Sequence, residues 1–129
     1  MVHAFVPHHL TDLAEYLKVK EFSDKNYDLK CINRTIINRA YLSTYLHAEE
    51  WIIHNGTHYD IRDYFERDVG YHTAICIALN KLNKPHISEI YEDFIQLRVD
   101  ADYDIVTIIT REDAQKALDL ASQIQNALQ

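Results

Sequence analysis

A chain of 129 residues is the size of one domain, and two glycines and two prolines are too few turn formers for a β-sandwich or barrel. An apolar fraction of 47% and a charged fraction of 26% are those of an ordinary globular protein. The formal net charge of −7 argues against coating nucleic acid through bulk electrostatics, so an RNA site would have to gather arginines locally. We therefore expect a single all-α domain over residues 1–129.

The first half of the chain contains one short and one long helical pattern. "HLTDLAEYL" places Leu10, Leu13, Ala14 and Leu17 on one face of a short N-terminal helix. A long amphipathic helix is predicted from about residue 28 to 54, where Asn55 and Gly56 end it. Its apolar residues recur every three or four positions and are expected to be core: Ile37, Tyr41, Tyr45, Ala48, Trp51 and Ile52.

Three further helices are predicted in the second half. "YHTAICIALNKL" follows Gly70 and is apolar on almost all sides, and "SEIYEDFIQLRVDA" follows "NKPH" with Tyr91 and Phe94 facing inward. "YDIVTII" is β-prone but solitary, so we expect an extended crossover there. Thr110 and Asp113 then predict a capping box at the start of the last helix. Together the patterns predict an up-down four-helix bundle with a short additional N-terminal helix.

Several classes of protein and site are not indicated. The sequence has no apolar run near eighteen residues and no basic start with an apolar h-region, so we expect neither a membrane span nor a signal peptide. Cys31 and Cys76 are interpreted as small buried hydrophobes in a reducing cytoplasm. Since no histidine has a partnered carboxylate or cysteine at a recognisable spacing, we expect no metal and no other cofactor.

Four segments together resemble the HEPN domain family. "NRAYLSTYLHAEEWI" is similar to its second-helix signature, "GYHTAICIALNKL" to its third helix, "LRVDADYDI" to the arginine and Ala-Asp-Tyr triplet of one branch, and "TREDAQKALDLASQIQNAL" to its closing helix. They occur in the family's order over roughly residues 28 to 128. The resemblance implies a homodimeric helical bundle acting on RNA in prokaryotic defence or toxin–antitoxin systems, often encoded beside a nucleotidyltransferase. Other members of the family are non-catalytic modules.

The resemblance also implies where a metal-independent nuclease site would lie. The family's motif combines an arginine, which holds the phosphate as charge builds, with a histidine, which moves protons near neutral pH. At the fourth-helix position this chain has Arg98, with Asp102 and Tyr103 where a histidine would stand. An ionised Asp102 would repel a phosphate, and a phenol with a pKa of about 10 is a poor proton shuttle. Catalysis there would need another histidine.

Two histidines are candidates for that role. "RDVGYH" contains Arg67 and His72 at the family's spacing but at the start of the third helix, so we interpret the pair as a chance surface arginine and helix-start histidine. A relocated active pair is the alternative. His47 lies on the long helix and would supply the imidazole if it approached Arg98 or a dimer axis.

Arg34 and Arg39 on the long helix are the candidate RNA-binding residues. They lie about 140° apart around the helix and do not form one tight pair. We interpret Arg39 as a partner of Asp102 or Asp100 in a buried ion pair, with phosphate contact as the alternative. Two functions remain open: an RNA-directed HEPN protein, and a non-catalytic HEPN module that binds a partner protein or nucleotide and uses Arg98 and Asp102 as a structural pair.

Overall fold

The structure, a computed structural model, describes residues 11–16, 29–56, 70–104 and 106–129. Every regular element within these ranges is an α-helix, as the sequence predicts. Residues 11–16 are helical, and four longer helices follow: α1, Leu29–Asn55; α2, Tyr71–Lys81; α3, Pro85–Tyr103; and α4, Arg111–Ala127. The described residues between α3 and α4, 104 and 106–110, are non-helical, but bends at Val106 and Thr107 depart from the extended crossover that the pattern "YDIVTII" predicts.

The long helix α1 packs against all three of the other long helices. Its predicted apolar stripe is confirmed, because Ile37, Tyr41, Ala48 and Ile52 are buried and the remaining members pack partly buried against the core. Full burial of one such aliphatic side chain stabilises the fold by about 1.5 to 3 kcal/mol. The residues that pack against this stripe come from α2, α3 and α4.

The helices do not alternate strictly in direction. The Asn33 side chain approaches the Ile109 carbonyl, and His47 contacts the Leu128 carbonyl, so α1 and α4 run in the same direction. Near Tyr41, α2 starts with His72, and the chain after α2 brings Lys84 over the Trp51 ring. Thus α2 also runs along α1, which differs from a simple up-down bundle.

Connection length explains this difference. Three residues separate α2 from α3, and so short a link forces an antiparallel hairpin. Residues 56–70 separate α1 from α2 and can span about 50 Å when extended, whereas returning from Asn55 to the level of Tyr41 needs only about 20 Å. Chain length therefore permits either direction for α2, and packing selects the parallel one.

The turn from α2 to α3 is closed by main-chain hydrogen bonds around Asn83. Asn83 has a positive φ of 64°, a conformation that asparagine tolerates better than most residues. The N–H of Lys84 donates to the Leu79 carbonyl at 2.8 Å and that of Asn83 to the Asn80 carbonyl at 3.2 Å, which is a Schellman motif. Pro85 then begins α3 in the first turn, where its missing N–H costs nothing.

Two further predictions concern the capping box at the start of α4 and the apolar face of the short N-terminal helix. The capping box is confirmed, because the Thr110 side chain accepts from the Asp113 N–H and the Asp113 carboxylate accepts from the Thr110 N–H. Of the apolar residues predicted on one face of the N-terminal helix, Ala14 is buried and Leu13 is 43% exposed, and Leu10 and Leu17 lie outside the described residues. None of the described helices combines the length and the apolar character needed to cross a membrane.

Asn83→Ala should lower the free energy of unfolding by about 1 to 2 kcal/mol, because alanine lacks asparagine's tolerance of the left-handed conformation. Asn83→Gly should retain or slightly raise it. Urea unfolding followed by circular dichroism measures both, with Asn80→Ala on the exposed face of α2 as the matched control. Equal midpoints for Asn83→Ala and the wild type would contradict this account of the turn.

Candidate functional site

Tyr41 on α1 is the centre of the site. Its side chain is only 3% exposed, and a buried hydroxyl needs hydrogen-bond partners. The partners are Nδ1 of His72 on α2 and the Tyr91 hydroxyl on α3, the latter at 3.0 Å. Burial raises the pKa of Tyr41, an effect that the Tyr91 hydrogen bond and the charge of Arg98 oppose in part, so this phenol stays protonated at neutral pH. One tyrosine thus joins three helices through its hydroxyl.

Arg98 on α3 lies against the ring of the same tyrosine. Its guanidinium carbon is 5.5 Å from the Tyr41 ring centre and 5.4 Å from that of Tyr103, which are cation–π distances. Its Nε is 2.8 Å from Asp102 Oδ2, and the two side chains are 20% and 19% exposed. No acceptor is aligned with the Nε–H, so this is a close charge contact rather than a directed hydrogen bond. Arg98 therefore combines one charge partner with two aromatic partners.

Asp102 is also tied to α1. The Asn38 amide donates to both carboxylate oxygens, at 3.3 and 3.2 Å. The prediction placed Arg39 in a buried ion pair with Asp102 or Asp100, and this is wrong, because Arg39 is exposed. Neighbouring residues on a helix differ by about 100° in direction, and Asn38 rather than Arg39 has the direction that faces α3. Arg98 and Asn38 are the residues in contact with Asp102.

His72 is close enough to Arg98 to respond to its charge. The imidazole is half-buried, with its ring centre 5.2 Å from that of Tyr41 and 5.3 Å from that of Tyr45. Burial lowers the pKa of His72, and the positive charge of Arg98 lowers it further. His72 is therefore neutral at pH 7, the form in which an imidazole accepts a proton. The structure thus places a proton carrier and Arg98 against the same tyrosine within a single chain.

The remaining candidate residues lie elsewhere or have other partners. His47 contacts the Leu128 carbonyl through Nε2 at 2.6 Å, about one and a half turns further along α1 than Tyr41. Tyr103 is on the exposed side of Arg98. Arg67 lies outside the described residues, so the interpretation of Arg67 and His72 as a chance pair stays a prediction, and so does its alternative, a relocated active pair.

Arg34 holds the end of α3. Its Nη1 donates to the Asp100 and Ala101 carbonyls at 3.2 and 2.7 Å, and its Nη2 to the Asp104 and Thr107 carbonyls at 2.9 and 2.7 Å. The last carbonyls of a helix have no partner within it, and a cation at that end also complements the helix dipole. Since a guanidinium has five N–H groups, Arg34 keeps one for another partner.

A shallow groove of about 440 Å³ lies between the first half of α1 and the end of α3. It is lined by Cys31, Arg34, Thr35, Asn38, Arg39, Ala101 and Asp102. Cys31 is exposed there, contrary to its prediction as buried, whereas Cys76 is buried as predicted. Since Asp102 is shared with Arg98, three of the six arginines meet at or beside this groove. Arginines are gathered here although the whole chain is acidic, with Asp102 among them.

The sequence interpretation missed Asn38, Tyr41 and Tyr91 as members of the site. The sequence does carry a signal for the position of Arg98. Arg98 continues the buried stripe of α3 at the spacing of Tyr91, Phe94 and Ala101. An arginine on a buried stripe must find a charge partner, and Asp102 one turn later is within reach.

No protein-family model, no curated protein and no solved structure matches this chain. The resemblance to HEPN domains therefore rests on the sequence motifs, and the geometry stands independently of it. In the described ranges, no three histidine, cysteine or acidic side chains group as ligands for a metal ion.

Arg98→Met should raise the pKa of His72, because the substitution removes a nearby positive charge and leaves most of the burial. An NMR titration of the imidazole measures the change, and Arg111→Met on the exposed start of α4 is the matched control. An unshifted His72 titration in Arg98→Met would contradict the proximity of the two side chains.

The lowered pKa of His72 also predicts a pH dependence of stability in the wild-type protein. Because the pKa of His72 in the folded state lies below the unfolded value of about 6.5, the unfolded state binds more protons at pH values between the two. The free energy of unfolding should thus fall as the pH drops from about 6.5 through the lowered pKa.

Proposed function

We propose that this chain is a HEPN-type protein that acts on RNA as a metal-independent endoribonuclease, with Arg98 and His72 as the catalytic pair. The observation that supports the proposal is their convergence on Tyr41, which places a guanidinium and a neutral imidazole around one buried ring. The histidine that the fourth-helix motif lacks is supplied by α2. A second copy of the chain and a nucleotidyltransferase are the partners that the resemblance adds to this proposal, in a cytoplasmic defence or toxin–antitoxin system.

In this mechanism His72 is the general base. It takes the proton of the RNA 2′-hydroxyl, whose oxygen attacks the adjacent phosphorus and forms a 2′,3′-cyclic phosphate. The bond to the 5′-oxygen breaks, and that oxygen takes a proton from solvent. The tautomer with its proton on Nδ1 donates to the Tyr41 oxygen and leaves Nε2 free as the base. Tyr41 would then position the imidazole.

Arg98 stabilises the negative charge that develops on the phosphate. A guanidinium binds a phosphate best through two parallel N–H groups, and the closest contact of Asp102 is with Nε, at one edge of the fork. A bound phosphate would compete with the Asp102 carboxylate for this cation. Exposed Arg39 in the adjoining groove would hold a neighbouring phosphate, and Arg34 would contribute mainly fixed positive charge.

The same contacts favour a second candidate, a non-catalytic module that binds a partner protein or nucleotide. The Arg98 guanidinium lies between two aromatic rings beside a carboxylate that is itself hydrogen-bonded, which is how a structural cation is held. In this candidate, the role of Arg98 is to join α3 to α1.

The wild-type protein should cut single-stranded RNA or tRNA in the presence of chelator and leave 2′,3′-cyclic ends. Arg98→Ala and His72→Ala should each abolish cleavage, because one removes the phosphate ligand and the other the base. Gel analysis with end-group mapping measures this, and Arg111→Ala is the control for loss of one arginine. Intact RNA at high wild-type concentration would overturn the nuclease proposal.

The melting temperature of Arg98→Ala separates the two candidates. Loss of one partner from a largely buried ion pair costs about 2 to 3 kcal/mol, even with part of the pair exposed to solvent. A sharply lowered melting temperature in a protein that cuts no RNA would support the structural module. An unchanged melting temperature with abolished cleavage would exclude it.

A further inference from the structure

Three large apolar side chains are exposed where α3 ends and the crossover begins. We refer to Tyr103, Val106 and Ile108 as the apolar ledge; they are 68%, 86% and 71% exposed. Single exposed apolar residues are common on protein surfaces, but three within six positions concentrate exposed apolar area in one short segment. Among the described residues 106–110 of the crossover, Ile109 is the buried apolar side chain, so Val106 and Ile108 contribute little to the core.

Hydrogen bonds to Asp104, Val106 and Thr107 hold the backbone of the ledge in place. Arg34 binds the carbonyls of Asp104 and Thr107, and the Asp104 carboxylate accepts from the N–H groups of Val106 and Thr107, both at 3.0 Å. Hydrogen bonds from Thr107 and Val106 also lower the pKa of Asp104, so it is ionised at neutral pH. A surface ordered during folding loses less entropy when it binds a ligand.

The ledge directly adjoins the arginines of the candidate site. One side of the Tyr103 ring lies over the Arg98 guanidinium at 5.4 Å, while most of the residue remains open to solvent. Beyond Arg98, the groove presents the exposed Arg39. An exposed aromatic ring beside a track of cations is how proteins bind single-stranded nucleic acid, with bases stacked on the rings and phosphates on the arginines. The open Tyr103 ring, with Arg98 on its other side and the exposed Arg39 in the groove, favours a nucleic acid over a protein as the occupant of the ledge.

We infer that Tyr103 stacks on one unpaired base of the RNA that binds at this site. This inference rests on the proposed action on RNA. One unpaired base lies on the open side of the Tyr103 ring, and its phosphate reaches Arg98. A base inside a duplex is already stacked between its neighbours and has no free side for this ring.

The test measures binding of a labelled single-stranded oligonucleotide by fluorescence anisotropy in chelator. A 2′-O-methyl oligonucleotide is used because it lacks the attacking hydroxyl and stays intact. Tyr103→Ala should weaken binding about tenfold or more, and Tyr103→Phe should bind like the wild type because the ring is retained. Binding to a duplex of the same sequence should be the same in all three proteins. Tyr16→Ala is the matched control, since Tyr16 is an exposed tyrosine on the N-terminal helix and is 56% exposed.

A scan with abasic nucleotides makes the assignment specific. In the wild type, one position should show a large loss of affinity when its base is removed, and in Tyr103→Ala that loss should disappear. Equal weakening of single-stranded and duplex binding by Tyr103→Ala would overturn the inference, because it would reflect disturbance of Arg98. So would an abasic scan that is unchanged by the substitution.

The result also separates this inference from the proposed function. If Tyr103→Ala binds like the wild type while Arg98→Ala and His72→Ala abolish cleavage, stacking on Tyr103 is wrong and the nuclease stands. If the wild type binds no single-stranded RNA, both are wrong. If Tyr103→Ala abolishes self-association and leaves RNA affinity unchanged, the ledge is a protein interface and the inference is overturned.

Discussion

The buried hydroxyl of Tyr41 is the constraint on which the rest of this structure depends. A phenol in a dry core must be hydrogen-bonded, and its partners here come from two other helices, His72 of α2 and Tyr91 of α3. The ring of the same residue contacts the edge of Phe94 and the guanidinium of Arg98. The packing that holds three helices together is therefore also the packing that places an imidazole near an arginine.

The three arginines at this end of the bundle differ in what holds them. Arg34 is committed to four carbonyls and keeps the end of α3 and the crossover in one conformation. Arg98 is largely buried, between two rings and beside Asp102, and Arg39 is exposed at the groove. In a chain with a formal charge of −7, this local group of arginines gives an anion a place to bind.

The pairing of Arg98 with Asp102 has two opposing effects on the site. Burying a guanidinium without a counter-charge is costly, so the carboxylate stabilises the free protein. The same carboxylate competes with any phosphate that approaches. Both candidate functions are compatible with this one contact. In the structural module, Asp102 is the permanent partner of Arg98. In the nuclease, Asp102 is the partner of Arg98 only while no phosphate is bound. The neutral His72 adds a group that a purely structural pair does not need.

Much of the fold could be predicted from the sequence, because local physics determines it. The apolar spacing in α1 and α4, the capping box at Thr110 and the proline at the start of α3 depend only on residues within one or two turns. The identity of Arg98, Asp102 and His72 as candidates was likewise visible in the sequence. Their arrangement was not.

Only the tertiary structure decided which of these residues meet. Residues 56–70 are long enough to allow α2 either direction, and the parallel one brings His72 to Tyr41. The rotation of α1 about its axis directs Asn38 instead of Arg39 toward Asp102, and apolar periodicity does not resolve a single step of that rotation. Arg98 and His72 are on different helices, and their distance depends on how those helices pack. The sequence by itself therefore determined the helices and the reactive groups, and packing across the core determined the site.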